Sequence, residues 1–198
     1  MKPAARKPLA VHTVDHLHEK VEDGLRSMFL LLGLNPNDEA IRDTPKRWKR
    51  AIMEMTEGYT DNAEEHLGRQ FTVEHADELI VVRDMPFVSL CEHHVLPFTG
   101  VCHVGYVPEI KVVGLSKIAR VMHVYAKRLQ TQERMTWQIA KAMEAMAVSV
   151  GVVVEARHEC MACRGVKTPG TMVTSALLGP MRADTALREE FLRLVGRR

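Results

Sequence analysis

Residues 78–107 read ELIVVRDMPFVSLCEHHVLPFTGVCHVGYV. Glu78 to Leu90 and Gly100 to Val107 are rich in Val, Ile, Phe and Tyr, and the segment between them contains Pro97 and Gly100. Branched and aromatic side chains suit a pleated strand, whereas proline and glycine interrupt one, so the stretch predicts two strands joined by a turn. That turn carries Cys91, Glu92, His93 and His94, which gives it a chemical function to fill.

Upstream, Thr13 is placed to cap a helix whose apolar positions Val14, Leu17, Val21, Leu25, Met28, Phe29 and Leu32 recur at helical spacing, with Gly33 ending it. Asp43-Thr44-Pro45 opens a second helix through Trp48, Ile52 and Met55, and residues before about Ala10 read as a tail. Downstream, Gly114 to Gln130 and the Met135, Ile139, Met143 series predict a helical hairpin. Gly151 to Cys160 and Thr171 to Leu178 read as strands, and Leu187, Phe191 and Leu194 as a closing helix. The order predicts an α+β domain with two helices on one face of a four-stranded antiparallel sheet. Its other face needs a cover, which oligomerisation would supply.

At 198 residues and 46% hydrophobic, the chain can bury a core without staples. Four cysteines, three of them beside other cysteines or histidines and none in a dense framework, point to a reducing compartment and to metal or thiolate chemistry. A net charge of +2 with balanced acids excludes a general nucleic-acid surface, and 5% aromatics argue against a base-stacking one. No run approaches the ~20 apolar residues of a membrane span, and the N-terminus lacks the apolar core of a signal peptide, so the expectation is a soluble cytoplasmic protein.

Cys91 and His94 in one segment, and His158, Cys160 and Cys163 in another, are soft donors suited to zinc. Cys91 and His94 are three apart and can meet one ion only where the strand bends. Two ligand sets are open. Cys91, His94 and Cys160 leave a fourth position for water; adding Cys163 closes a structural tetrahedron. The open set uses more of the residues, because His93 and His158 then stand beside the metal as proton-transfer groups. Ser116, Lys117 and Arg120 lie in the first turns of a helix, where amides and the dipole favour an anion. Gln132 and Glu133 open the next helix, with a carboxylate able to accept from a purine's N–H groups, and Arg164 offers a second fork to phosphate.

CEHHVLPFTG, GYVPEIKVVGLSKIAR, RLQTQER, HECMACRGV and TSALLG, in this order and with DTPKRW upstream, closely resemble the signatures of the GTP cyclohydrolase I family. The resemblance runs from about Val14 to Leu194. It implies the tunnelling fold, in which subunit sheets join into a barrel and two rings stack into a homodecamer with active sites at subunit interfaces. On this reading residues 1–12 are a tail, 13–70 an N-terminal helical region and 71–198 the catalytic domain. The family pattern makes Cys91, His94 and Cys160 the zinc ligands and His93 and His158 the catalytic proton-transfer groups. It makes Gln132 and Glu133 the guanine-recognising pair, and Leu115, Ser116, Lys117, Arg120 and Arg164 the ribose and triphosphate site. GTP and water are the implied substrates, opened at C8 with loss of formate and rebuilt as 7,8-dihydroneopterin triphosphate. Cys102 and Cys163 depart from the pattern and add two thiols. The rival reading is a noncatalytic nucleotide-binding protein around a closed zinc site, which has no use for Glu133 or the two spare histidines.

Overall fold

The structure, a computed structural model, describes residues 11–74 and 77–196. The expected tail therefore lies, up to residue 10, outside the described residues. The chain forms two compact units that divide after Glu54.

In the first unit, helix α1 (Val11–Leu31) already includes Thr13, and the expected cap lies outside the described residues. Gly33, with φ 75°, ends α1 as expected: its N–H donates to Leu30 O and that of Leu34 to Phe29 O, which satisfies two terminal carbonyls. Helix α2 (Thr44–Met55) starts after Asp43, whose carbonyl accepts from Arg47 N, and Pro45 sits in its first turn. Within the unit, Lys49 Nζ reaches Glu22 Oε1 at 2.5 Å.

The second unit opens with a 3₁₀ turn at Glu57–Tyr59 and the short helix α3 (Ala63–Leu67), capped by the Asn62 side chain on Glu64 N. Strand β1 (Gln70–Thr72) follows, then the long strands β2 (Ile80–Cys91) and β3 (Pro97–Pro108), and β4 (Lys111–Val113), which pairs with β1. Helix α4 (Leu115–Ala126), strand β5 (Leu129–Gln130) and helix α5 (Gln132–Met143) come next. Strand β6 (Ala147–His158), the one-turn helix α6 (Glu159–Ala162), strand β7 (Thr171–Leu178), α7 (Pro180–Ala183) and α8 (Thr185–Gly196) complete the chain.

The main sheet has the order β5-β2-β3-β6-β7. Its four long strands are antiparallel, as expected from the sequence; the added member is β5, two residues paired parallel to the end of β2. The sequence reading carried Gln130 at the end of a helix. Instead α4 stops at Ala126, where Arg128 turns its Nε to the carbonyls of Val124 and Gly58, and the freed chain pairs with Leu90 and Cys91.

Strand alternation sends Met85, Phe87, Phe98, Cys102, Val104, Tyr106, Val150, Val152 and Val154 to one face, where Ile118, Val121 and Met122 of α4 and Met135, Ile139 and Met143 of α5 cover them. Most of these side chains are fully buried, each contributing on the order of 1.5–3 kcal/mol. The opposite face is covered only in part. Val153, Met181, Phe191 and Val195 form a second cluster there, with Leu187 completing the α8 stripe at spacing four; Val195, not Leu194, is its last buried member. Phe191 fits because Gly105 and Gly151 are register partners beneath it: a Cβ on Gly105 would lie 2.5 Å from Phe191, and one on Gly151 2.4 Å from the Met181 sulfur. Beyond α8 the same face leaves Val88 and Val173 exposed.

Gly151→Val should destabilise the fold by roughly 1–3 kcal/mol or more in urea unfolding, because the added branch meets an already packed ring. Combining it with Phe191→Ala should cost less than the sum of the two single changes, since the large ring is the obstacle. Strict additivity would mean that α8 does not rest on this glycine pair.

Candidate active site

Cys91 is the last residue of β2, and the chain then folds back on itself. Its N–H donates to Leu96 O at 2.8 Å, and its carbonyl accepts from Val95 N at 2.8 Å and His94 N at 3.3 Å. Val95 has φ 53°, a left-handed conformation that costs a branched residue about 1–2 kcal/mol. This is the bend that a shared ion requires of Cys91 and His94, and it sets Cys91 Sγ 3.7 Å from His94 Nδ1. Two ties hold the turn: Glu92 N–H donates to Gln130 O at 3.0 Å, and the Glu92 carboxylate receives a forked pair from Arg134, at 2.5 and 2.7 Å. The Arg134 hydrogen bonds hold the Glu92 carboxyl below the ordinary carboxylate range.

The second wall comes from the end of β6. The sequence reading ran this strand through Cys160; the strand instead stops at His158 and the backbone enters α6, with Cys163 N–H donating to Glu159 O at 3.0 Å. Cys160 is thereby rotated off the sheet and toward Cys91. One donor atom each from Cys91, His94 and Cys160 lie within 4.8 Å of one another, and no other described Cys, His, Asp or Glu joins that group. The exposed thiol of Cys163 is outside it, so the closed tetrahedron is not assembled. Burial, and then the adjacent Cys91 thiol, push the Cys160 thiol up. A divalent cation among the three donors would reverse that bias, so two thiols and an imidazole at this spacing suit a thiophilic metal. Cys102 is different: it lies wholly in the core opposite Val154, and burial pushes it up to about 12, so it is a packing residue rather than a reactive or ligating thiol.

In sequence His93 follows Cys91 by two residues and His158 precedes Cys160 by two. His93 is exposed, its Nδ1 3.9 Å from Cys91 Sγ. The His158 ring lies flat on Phe98, with centroids 4.6 Å apart and planes 4° apart, and its Nε2 is 2.8 Å from Gln132 Oε1. Burial lowers the His158 pKa, and the charge of Glu133 acts the other way. Glu133 is exposed in the first turn of α5, a carboxylate within electrostatic reach of His158 and open to a ligand. The Gln132 side chain is 1% exposed, and its carboxamide nitrogen is hydrogen-bonded to Val154 O, Met172 O and Thr174 Oγ1.

Leu115, Ser116 and Arg120 are exposed at the start of α4, and Lys117 is half-buried there. Arg120 lines a cavity of about 510 Å³ with Asp61, His66, His123 and Lys127 among its walls, and none of the lining residues belongs to the Cys/His group. Arg164 is exposed just past α6, close enough to bias the Cys160 thiol toward its ionised form.

The sequence profile described as GTP cyclohydrolase I matches residues 21–196 of this chain. The chain belongs to the GTP cyclohydrolase I family. Among its relatives, the protein named GTP cyclohydrolase 1 from Pseudoalteromonas translucida is 45% identical over 182 residues, covering 90% of this chain and 99% of the relative. The protein of that name from Campylobacter jejuni subsp. doylei is 47% identical over 182 residues, 90% and 96% of the two chains. One from Dictyostelium discoideum is 42% identical over 193 residues, 96% of this chain and 82% of the relative.

Sequence reasoning missed Arg134 and Phe98. Arg134 lies 42 residues from Glu92, and Phe98 meets His158 only across a sheet register, so neither pairing leaves a local pattern. Arg134→Met should loosen the turn and cost about 1 kcal/mol of stability. Because the Glu92 pKa is depressed in the folded protein, its contribution is complete above the ordinary glutamate value of 4.5 and is lost as pH falls through the folded value. The stability gap between native protein and variant, measured by denaturant titration across pH, should therefore close in acid. A gap that persists below that range would place the effect in packing.

Proposed function

We propose that this chain hydrolyses GTP at C8 and rearranges the product to 7,8-dihydroneopterin triphosphate, with zinc held by Cys91, His94 and Cys160. The observation that carries the reading is the three-donor cluster, with Cys163 outside it, in a member of the GTP cyclohydrolase I family. Two thiolates and one imidazole suit zinc, which when bound supplies the Lewis acidity that makes a water acidic near neutral pH.

The remaining steps fall to the chain's own groups. The exposed Glu133 carboxylate accepts hydrogen bonds from the guanine N1–H and 2-amino groups and sets C8 toward the cluster. Ser116, Lys117, Arg120 and Arg164 take the ribose and triphosphate through charge-assisted bonds, and Leu115 offers apolar surface beside them. His93 and His158 move protons as the imidazole ring opens and as the resulting formamide is hydrolysed to formate. Every one of these residues lies in 71–198, the proposed catalytic domain. The exposed Val88 and Val173 on the partly covered sheet face support assembly into a homo-oligomer, a decamer in our reading, in which neighbouring subunits bring the α4 cations to the metal. Among the described residues no helix is long and apolar enough to cross a membrane, and four free cysteines suit the cytoplasm.

Incubation of the purified, zinc-loaded protein with GTP should release formate and a pterin that fluoresces after oxidation, in equal amounts. GTP left intact would end the proposal. Glu133→Gln should lower kcat/KM for GTP by about tenfold to hundredfold, the range for a lost hydrogen bond to a charged group, with stability nearly unchanged at this exposed position. Unchanged kinetics would remove Glu133 from the guanine site.

The metal set is tested by a contrast between two thiols. Cys160→Ser should lose both zinc and formate release, because a neutral hydroxyl is a poor zinc ligand, whereas Cys163→Ser should keep both. Equal loss in the two variants would mean a closed site with no position for water.

A further inference from the structure

Gln132 is buried at the N-terminus of α5, yet its side chain makes four hydrogen-bonding contacts. Its Nε2 lies 2.9 Å from Val154 O, 3.0 Å from Met172 O and 3.1 Å from Thr174 Oγ1, and its Oε1 lies 2.8 Å from His158 Nε2. Two backbone carbonyls can only accept, so the amide nitrogen must face them; the flipped amide would press three oxygens together. Thr136 Oγ1 lies 2.7 Å from Gln132 O, again a pure acceptor, and 2.7 Å from Thr174 Oγ1. The single Thr136 proton therefore goes to Gln132 O. Thr174 must then donate to Thr136, which leaves the Thr174 oxygen to accept from the Gln132 amide. The two amide protons of Gln132 are shared among three acceptors, Val154 O, Met172 O and Thr174 Oγ1, and Gln132 Oε1 is left as the acceptor toward His158.

We infer that Gln132 is a positioning residue that holds His158 in the Nε2–H tautomer, so that Nδ1 is the ring atom that exchanges protons with the substrate. The stack on Phe98 fixes the plane of the ring, and the carboxamide fixes its rotation about that plane and its tautomer. The inference rests on the proposed reaction for its catalytic meaning, whereas the tautomer itself follows from the hydrogen-bond directions alone.

Solid-state ¹⁵N spectra of the zinc-loaded protein, labelled at histidine and measured near about pH 8.5, above the ordinary imidazole range, report which ring nitrogen carries the proton. His158 is assigned as the resonance pair lost in His158→Asn. A protonated Nε2 and a bare Nδ1 are expected; the opposite pattern overturns the inference. This readout needs no turnover, so it stands or falls separately from the activity on GTP. Gln132→Met should then lower kcat by about tenfold to hundredfold, as loss of an orienting partner does, with KM for GTP changed by less than about threefold. A raised KM with unchanged kcat would make Gln132 a guanine contact and sink the assignment. Thr174→Val keeps the carboxamide but removes one of its anchors, and should give a smaller fall in kcat and a mixed tautomer signal. If Gln132→Met does not fold, the unmodified protein's spectrum and Thr174→Val decide the matter.

Discussion

The register between β3 and β6 is the constraint on which the site depends. It sets Phe98 opposite His158, while the neighbouring register sets Phe98 opposite Ser89, so three strand ends finish in one row. Cys91 follows Ser89 by two residues and Cys160 follows His158 by two, and the row is what allows one donor from each to converge with His94. A slip of a single residue would reverse the faces of β6, sending Val150, Val152 and Val154 away from α4 and α5 and carrying the His158 ring from Phe98. The hydrophobic core and the candidate metal site are therefore specified by the same pairing. Gly105 opposite Gly151 adds a second lock, since only that match leaves room for Phe191.

Around this row the protein spends polar groups to hold side chains, rather than to gain stability. Val95 in the left-handed region is unfavourable by itself and persists because the Cys91 and Leu96 hydrogen bonds and the Glu92 to Arg134 fork determine the turn from both sides. The partly buried chain Thr136, Thr174, Gln132, His158 does the same on the opposite wall, tying the first turn of α5 to β6 and β7 while presenting an imidazole. Buried polar groups are costly unless every member is satisfied, and here carbonyls that only accept fix which way the Gln132 amide and the Thr136 hydroxyl point.

The four cysteines separate by environment. Cys102 behaves as an apolar side chain in the core, Cys91 and Cys160 face each other across the candidate metal position, and Cys163 points outward from the end of α6. Cys160 lies within the one-turn helix α6, whereas Cys163 is its C-cap, where the thiol is exposed.

Periodicity and composition by themselves determined the α+β order, the four long strands, the helical hairpin over one face and the Gly33 stop, because each depends on spacing of 2.0 or 3.6 residues within a short window. The residue types in 91–94 and 158–163 likewise marked a soft metal site, and Glu133 a carboxylate at a helix start, since these are properties of the side chains themselves. Which thiols meet was decided only in three dimensions, by the end of β6 at His158 and the turn that follows. The same holds for the hydrogen-bond partners of Gln132, which lie 22 to 42 residues away and are brought together by the packing of α5 on β6 and β7. Sequence spacing carries chemistry along the chain, but hydrogen-bond direction and ligand convergence depend on distances across the sheet, and those exist only once register and packing are set.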